Sequence, residues 1–312
     1  MSSEIPNVES SSWEKNLLRE FLLQTIKEQR SERRWLYFIR ALRALMFIAF
    51  MLFMSGLFFI GPLNRDVKFP HTAFIDISGE IAKGALNDAD HIIPALQNAF
   101  DSENVKGVVL RINSPGGSPV QASQIYQEIK RQKKLHASIP IIAVIDDLGA
   151  SGGYYIASAA DKIYADQSSI VGSIGVISSG FGFTGLMDKL GIERRTITAG
   201  KNKALLDPFQ PLSPEMKTYW EAMLAQTHQQ FINRVKEGRG SRLHIDDTTF
   251  TGLVWNGEQA AKIGLIDGFG DLHSVARDII KTEKIISYNP RNDVFDRLTQ
   301  KVSVMVNSIS FF

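Results

Sequence analysis

From Ala44 to Gly61 the chain reads ALMFIAFMLFMSGLFFIG, about 18 residues without a charge. That is close to the length a helix needs to cross a hydrocarbon core of roughly 30 Å. A buried core helix rarely stays apolar all the way round, whereas this run does so up to the breaker Gly61-Pro62. The pattern predicts one transmembrane helix over residues 44–63. Before it lie Lys27, Arg30, Arg33, Arg34, Arg40 and Arg43, opposed only by Glu28 and Glu32. After it come only Arg65 and Lys68, against Asp66. The positive-inside rule therefore places residues 1–43 in the cytoplasm and the rest beyond the membrane. The run starts too far in and is too long for a cleaved signal peptide, so the anchor is expected to be retained. Between Trp13 and Ile39, Leu17, Leu18, Phe21, Leu22, Ile26 and Trp35 recur at mixed helical spacings. They suit an amphipathic helix on the inner membrane face or a solvated helix leading into the span.

Past residue 64 the pattern changes to short apolar runs alternating with helical periodicity, which predicts an α/β domain. Strands are expected at His71–Ile81, Val105–Ile112, Ile141–Ile145, Lys162–Ala165, Gly172–Ile177 and Arg195–Thr198. Helices are expected at Ala89–Ser102, Gln121–Leu135, Pro214–Arg234 and Leu272–Lys284. The runs VKGVVLRI and IIAVI have no polar alternation, so both read as strands buried on two faces, parallel and joined by the helix between them. Residues 64–289 are taken as this domain and 290–312 as a tail. The tail ends VSVMVNSISFF, an alternation that suits a pairing strand or a segment lying in a groove, and its β-propensity weighs against the alternative of a disordered tail.

Composition narrows the chemistry. A 312-residue chain that is 44% hydrophobic can bury a large core. Its net charge of +2 is spread without a basic face, so nucleic acid is not an expected partner. Cysteine is absent, which removes thiol nucleophiles, thiolate metal sites and disulfides. The six histidines, His71, His91, His136, His228, His244 and His273, show no ligand spacing, and no metal is expected.

Two glycine-rich junctions follow the two buried strands, at the strand ends where open α/β sheets assemble their sites. In the first, Asn113-Ser114-Pro115-Gly116-Gly117-Ser118, the glycines let backbone N–H groups approach a ligand. Alone it reads equally as an ordinary turn. The second, Gly149-Ala150-Ser151-Gly152-Gly153-Tyr154-Tyr155, leads into a short helical stretch through Ala160. A serine there sits where helix N–H groups favour an oxyanion, though a plain helix cap is the common role of serine at such a place. Asp146-Asp147, just before it, suit shaping a specificity pocket or capping a loop, and are read as the latter. A serine nucleophile needs a base, and no histidine lies between His136 and His228, the region holding the serine junction and the loop Gly200-Lys201-Asn202-Lys203.

The two junctions in this order, with Ala159-Ala160-Asp161-Lys162-Ile163-Tyr164-Ala165, Gly172-Ser173-Ile174-Gly175-Val176, the lysine loop, Gly257-Glu258-Gln259-Ala260 and Gly264-Leu265-Ile266-Asp267, resemble peptidase family S49. The resemblance covers roughly residues 70 to 285 and matches the half-length form, with one serine unit and one lysine loop. It implies a Clp protease/crotonase-like fold of repeated β-β-α units. It also implies Ser151 as nucleophile, Lys203 as general base, Ser173 as the serine that positions the lysine, and the N–H groups of Gly117 and Gly152 as oxyanion hole. No cofactor is implied. A lysine base must be neutral near pH 7, a drop of about three pKa units that costs roughly 4 kcal/mol relative to exposure. Ala204, Leu205 and Leu206 beside Lys203 suit a dry setting, and neighbouring Lys201 stands as the alternative base.

The resemblance implies a membrane-anchored serine endopeptidase at the outer, periplasmic face of a bacterial cytoplasmic membrane. It would cleave hydrophobic peptides such as remnant signal peptides, in a ring-like homo-oligomer whose serine and lysine meet across subunits. Rival readings are a protease regulating membrane-associated proteins, a catalytically silent membrane scaffold, and an acyl-thioester enzyme of crotonase type. The anchor and the lysine loop argue against the last.

Overall fold

The computed structural model describes residues 67–289 together with 19, 20, 35, 37–51 and 53. Most of the amphipathic stretch 13–39, most of the predicted span at 52 and 54–63, and the tail 290–312 lie outside the described residues. The chain divides into two compact units, Met1–Arg65 and Asp66–Phe312. In the first, residues 37–51 are helical, with apolar side chains such as Leu45, Phe47 and Phe50 exposed. No helix among the described residues is long and apolar enough to cross a membrane.

The second unit opens with β1 (His71–Ser78), α1 (Ala89–Phe100), β2 (Val105–Ser114), α2 (Pro119–Leu135) and β3 (Ile141–Ala150). The three strands are parallel and in order. The helices start where sequence chemistry allows. Asp88 accepts the His91 N–H ahead of α1, and Ser118 accepts the Gln121 N–H ahead of α2, whose first residue is Pro119. Ala73, Ile75 and Ile77 of β1 and Val108, Leu110 and Ile112 of β2 pack against Ile92 and Leu96 of α1 and Ile125 and Ile129 of α2. Val109, Ile142 and Val144 on the opposite face are covered by Val275 and Ile280.

Ten residues long, β3 has different neighbours along its second edge. Its first half pairs with β4 (Lys162–Ala165), and its last residues, Leu148–Ala150, pair with β5 (Ile170–Gly172). The short helix α3 (Gly152–Ala157) lies between β3 and β4, so the chain leaves β3 through Ser151 and returns twice to the same edge. Then come α4 (Thr184–Leu190), the long α5 (Pro214–Arg239), β6 (Val254–Asn256) and α6 (Gly257–Lys262). β7 (Gly268–Phe269), α7 (Leu272–Ser274), which continues as a wider turn over Val275–Ile280, and β8 (Ile285–Ser287) complete the unit. Strand order is β6-β5-β3-β2-β1-β8, with β4 between β3 and β7, and only the β5–β6 pair is antiparallel. The result is an α/β fold on a mixed sheet. Its first three strands alternate singly with helices, and two consecutive strands precede a helix only at β4-β5-α4.

Several expectations need correction. The strand predicted from Gly172 to Ile177 occupies Ile170–Gly172 and stops at Ser173, whose φ of 50° leaves the extended region. Arg195–Thr198 forms no strand, Ile197 is 100% exposed, and no strand among the described residues pairs with it. The first strand ends at Ser78, and Ile81 makes only an isolated bridge to Gly117. The last helix stops at Ile280 because Lys281 turns left-handed at φ 64°. Asp146 and Asp147 cap no loop. Both lie within β3, where Asp146 takes the Arg111 Nε–H at 2.7 Å and Asp147 the Asn113 amide at 3.1 Å.

One ion cluster fixes the C-terminal end of α5. Arg239, 1% exposed, donates to the Gly264 carbonyl and, at 2.7 Å, to Asp267. Asp267 also receives Arg242 at 3.1 Å and the Ile163 N–H at 2.7 Å. Burial pushes the Asp267 carboxyl up, but the hydrogen bond and charge of Arg239, the Ile163 N–H and Arg242 outweigh it and hold the group below its ordinary range.

Candidate active site

Ser151 stands between β3 and α3 with φ 50° and ψ −121°, and its side chain makes no capping bond. A non-glycine residue there costs about 1–3 kcal/mol of backbone strain, which surrounding structure must hold in place. Two backbone bonds do so: the Ser151 N–H donates to the Gly172 carbonyl at 2.8 Å, and the Ser151 carbonyl accepts the Tyr155 N–H at 2.9 Å. The ordinary reason for a serine at this position, capping, is therefore missing. Gly149-Ala150-Ser151-Gly152-Gly153 also has the G-x-S-x-G spacing of a strand-to-helix elbow, a signal missed when the junction is read only for its glycines and its cap. Its glycines are required by space. A Cβ at Gly149 would stand 2.8 Å from Ile145, and one at Gly153 would stand 3.0 Å from the Ser114 carbonyl.

The loop after β2 is brought directly against this elbow. An added Cβ at Gly116 would lie 2.6 Å from both the Gly152 nitrogen and the Ser151 Cβ. Gly117 has φ 141°, and a Cβ on it would stand 2.2 Å from the Ile81 carbonyl oxygen. The loop is held by Ser114, whose hydroxyl accepts the Gly116 N–H at 3.1 Å and donates to the Gly79 carbonyl at 2.6 Å. Ile81 grips it from the other side, donating to Gly116 and accepting from Ser118 at 2.7 Å. Among the described residues neither the Gly117 N–H nor the Gly152 N–H donates a hydrogen bond. The two amides are neighbours, since a Cβ on Gly152 would come within 3.3 Å of the Gly117 nitrogen. Two unengaged donors beside a strained serine form an arrangement able to stabilise a developing oxyanion.

Ser173 follows β5 on the far side of Ser151. Its N–H donates to the Leu253 carbonyl at 2.8 Å and its carbonyl accepts the Gly175 N–H at 2.9 Å. Trp255 packs against the preceding residue, Gly172, where an added Cβ would come within 2.5 Å of the indole. Lys203 is placed differently. It lies on an exposed turn, its N–H bonded to the Gly200 carbonyl at 3.1 Å, and Lys201 is 3.7 Å from Glu215 with both side chains 79% exposed. The dry surroundings expected for Lys203 are not supplied by its own chain: Ala204 and Leu205 are only partly covered and Leu206 is exposed. The fold thus joins Ser151, Gly117, Gly152 and the Ser173 segment, and leaves Lys203 on the arm of residues 177–212. Among the described residues no three acidic or histidine side chains converge as metal ligands.

Fold and site together define an α/β protein with a candidate serine nucleophile at a strand-to-helix elbow. Residues 133–285 match the profile of peptidase family S49. A Synechocystis sp. protein named as a candidate protease is 31% identical over 198 residues, covering 64% of this chain and 69% of that one. The chain belongs to peptidase family S49. An Enterococcus faecium protein named as a candidate signal peptide peptidase SppA is 34% identical over 223 residues, 71% of this chain and 64% of that one. A Brucella abortus protein named Na(+)/H(+) antiporter NhaA is 47% identical over 182 residues, 58% of this chain. The chain spans only 25% of the length of that Brucella protein.

Proposed function

We propose that this chain is a membrane-anchored serine endopeptidase in which Ser151 is the nucleophile and Lys203 the general base. The observation that carries the proposal is the strained Ser151, with no capping bond, beside the unengaged N–H groups of Gly117 and Gly152. In this mechanism the Ser151 Oγ attacks the scissile carbonyl and its proton passes to the neutral Lys203 amine. The Gly117 and Gly152 amides hold the oxyanion. As the intermediate collapses, the C–N bond breaks and the lysine gives the proton to the departing amine. Water, deprotonated by the same lysine, then releases the acyl group and regenerates the serine. Ser173 holds the lysine amine in place.

A lysine base acts as the neutral amine, which burial favours, so the exposed Lys203 needs a covering surface for this role. The arm that bears it exposes Ile177, Phe181, Leu190 and Ile197. An apolar surface of that kind supports assembly with further copies of the chain, in which the lysine of one subunit serves the serine of another. The apolar run at 44–61 with its basic N-terminal flank supports anchoring in a bacterial cytoplasmic membrane, residues 1–43 inside, 44–63 spanning and 64–289 forming the peptidase domain outside. The substrate class is apolar extended peptide, remnant signal peptides among them, and the relative named as a signal peptide peptidase supports it. The exposed lysine is also the observation that favours the rival, a catalytically silent membrane scaffold. A serine-reactive phosphonate distinguishes them. Wild-type assembly is expected to be labelled and Ser151→Ala not, and an unlabelled wild-type assembly would establish the scaffold.

A further inference from the structure

Helix α5 presents one histidine to the site. His228 Nε2 lies 2.9 Å from the carbonyl oxygen of Ile174. A carbonyl only accepts, so Nε2 carries the proton and is committed to this bond. The three carbonyls of the corner are all occupied: Gly172 by the Ser151 N–H, Ser173 by the Gly175 N–H and Ile174 by His228. Three residues further along α5, Phe231 lies 4.9 Å from the Tyr155 ring, and the Tyr155 N–H donates to the Ser151 carbonyl. His228 and Phe231 share a helix face. That face therefore touches the corner bearing Ser173 with one side chain and the helix headed by Ser151 with the other. Its own chain reaches α5 directly from the loop of Lys203.

We propose that His228 is a positioning residue for this peptidase, pinning the Ser173 corner so that the serine hydroxyl meets the lysine amine. The inference rests on the Ser151, Lys203 and Ser173 roles argued above. Its mechanism is geometric. Ser173 holds a left-handed φ of 50° that only its neighbours maintain, and the His228 bond lies one peptide beyond it. Without that bond the corner and α5 rotate independently, and the serine that steers the lysine is displaced from it.

The test uses the purified full-length assembly with His228→Ala, His228→Gln and Ser151→Ala. Peptide-cleavage kcat and KM, the phosphonate labelling rate and the melting temperature are measured together. His228→Ala is expected to lower kcat and the labelling rate about tenfold with KM within about twofold of wild type. Glutamine, whose Nε2 can donate from a similar reach, should return both rates to within about threefold of wild type. Wild-type rates in His228→Ala would overturn the inference. So would a folded glutamine variant as slow as alanine, because a purely structural histidine gives that result. If Ser151→Ala is inert while His228→Ala is unimpaired, this inference alone falls. If Ser151→Ala still cleaves, the underlying peptidase assignment falls and takes this one with it.

Discussion

The glycines separate two halves of the peptidase domain. Around Ser151 they are pressed against backbone: an added Cβ at Gly116 or Gly117 would stand 2.6 or 2.2 Å from another main-chain atom. Along the arm, Gly180, Gly182, Gly185, Gly191 and Gly200 would meet nothing within 4 Å. The apolar side chains divide in the same way. Tyr154, Ile156 and Ala157 are buried behind the serine, whereas Ile177, Phe181 and Ile197 are exposed. The serine half is packed against the rest of its own chain, whereas the lysine half is held mainly by contacts within the arm itself, such as Phe183 stacked on Phe209 and Arg194 paired with Asp207 at 3.3 Å. A long segment with many exposed apolar residues is rarely idle. On the proposed assignment, the contrast means that the serine and its amide donors are arranged by the chain itself, and the lysine would be completed as a base only by assembly.

The sharpest way to break that contrast is to remove the proposed base. Lys203→Ala should lower peptide cleavage by roughly 10²- to 10⁴-fold, the usual contribution of a general acid or base. Lys201→Ala should leave the rate within about threefold, because its exposed partner Glu215 offers at most a weak surface ion pair. Steady-state cleavage by the two variants decides the matter, and the reverse outcome would transfer the role to Lys201. Mixing Ser151→Ala with Lys203→Ala subunits should restore part of the activity if serine and lysine come from different copies.

How much of this was legible beforehand divides along the same line. Val105–Ile112 and Ile141–Ile145 read as buried strands because their apolar runs are local facts. The predicted starts of α1 at Ala89 and α5 at Pro214 match the structure, where Asp88 and Ser213 cap them. The two glycine-rich turns after buried strands are visible in one dimension, but only the family resemblance joins Ser151, Gly117 and Gly152, because locally the turns read equally as an ordinary turn and a helix cap. The left-handed backbone at Ser151 and Ser173 was not visible, because it is imposed by partners such as Gly172 and Leu253 that are distant in sequence or belong to another strand. Arg195–Thr198 fails for the opposite reason: it has the alternation of a strand, but among the described residues no strand pairs with it. Asp146 and Asp147 looked like loop residues because their partners, Arg111 and Asn113, come from the adjacent strand. The three-residue β8 depends on a register with β1 that no local pattern announces.

A second prediction tests the border between the halves, which runs through α5. Its C-terminal part buries Phe231, Val235 and Arg239, while residues 214–227 stay largely exposed. Asp267→Ala would leave the Arg239 guanidinium buried beside no carboxylate, a change expected to cost about 3–5 kcal/mol of stability. Because the native carboxyl titrates below its ordinary range, its contribution is present above the unfolded aspartate pKa of about 3.9 and is lost as pH falls through the lower folded value. Melting temperatures of wild type and Asp267→Ala should therefore differ most near neutrality and converge in acid. A gap that stays constant down to strong acid would show that the ion pair is not what anchors α5.

The smallest expected effect on the chain is also the most informative about the arm. Ile197 is 100% exposed, so Ile197→Asp removes no intrachain packing. It should change the unfolding free energy of the single chain by no more than about 0.5 kcal/mol. That measurement belongs at dilutions where the protein is monomeric, since assembly would itself add to apparent stability. At working concentration the same substitution places a charge on a surface proposed to be buried between copies. Sedimentation should then shift toward smaller species, and phosphonate labelling should fall with it. The Ser151 elbow, built by its own chain, would remain folded but lack a neutral lysine. If Ile197→Asp assembles and labels like wild type, the arm is not the covering surface. A large loss of monomer stability would instead mean that Ile197 packs within its own chain, and the contrast between the halves would disappear.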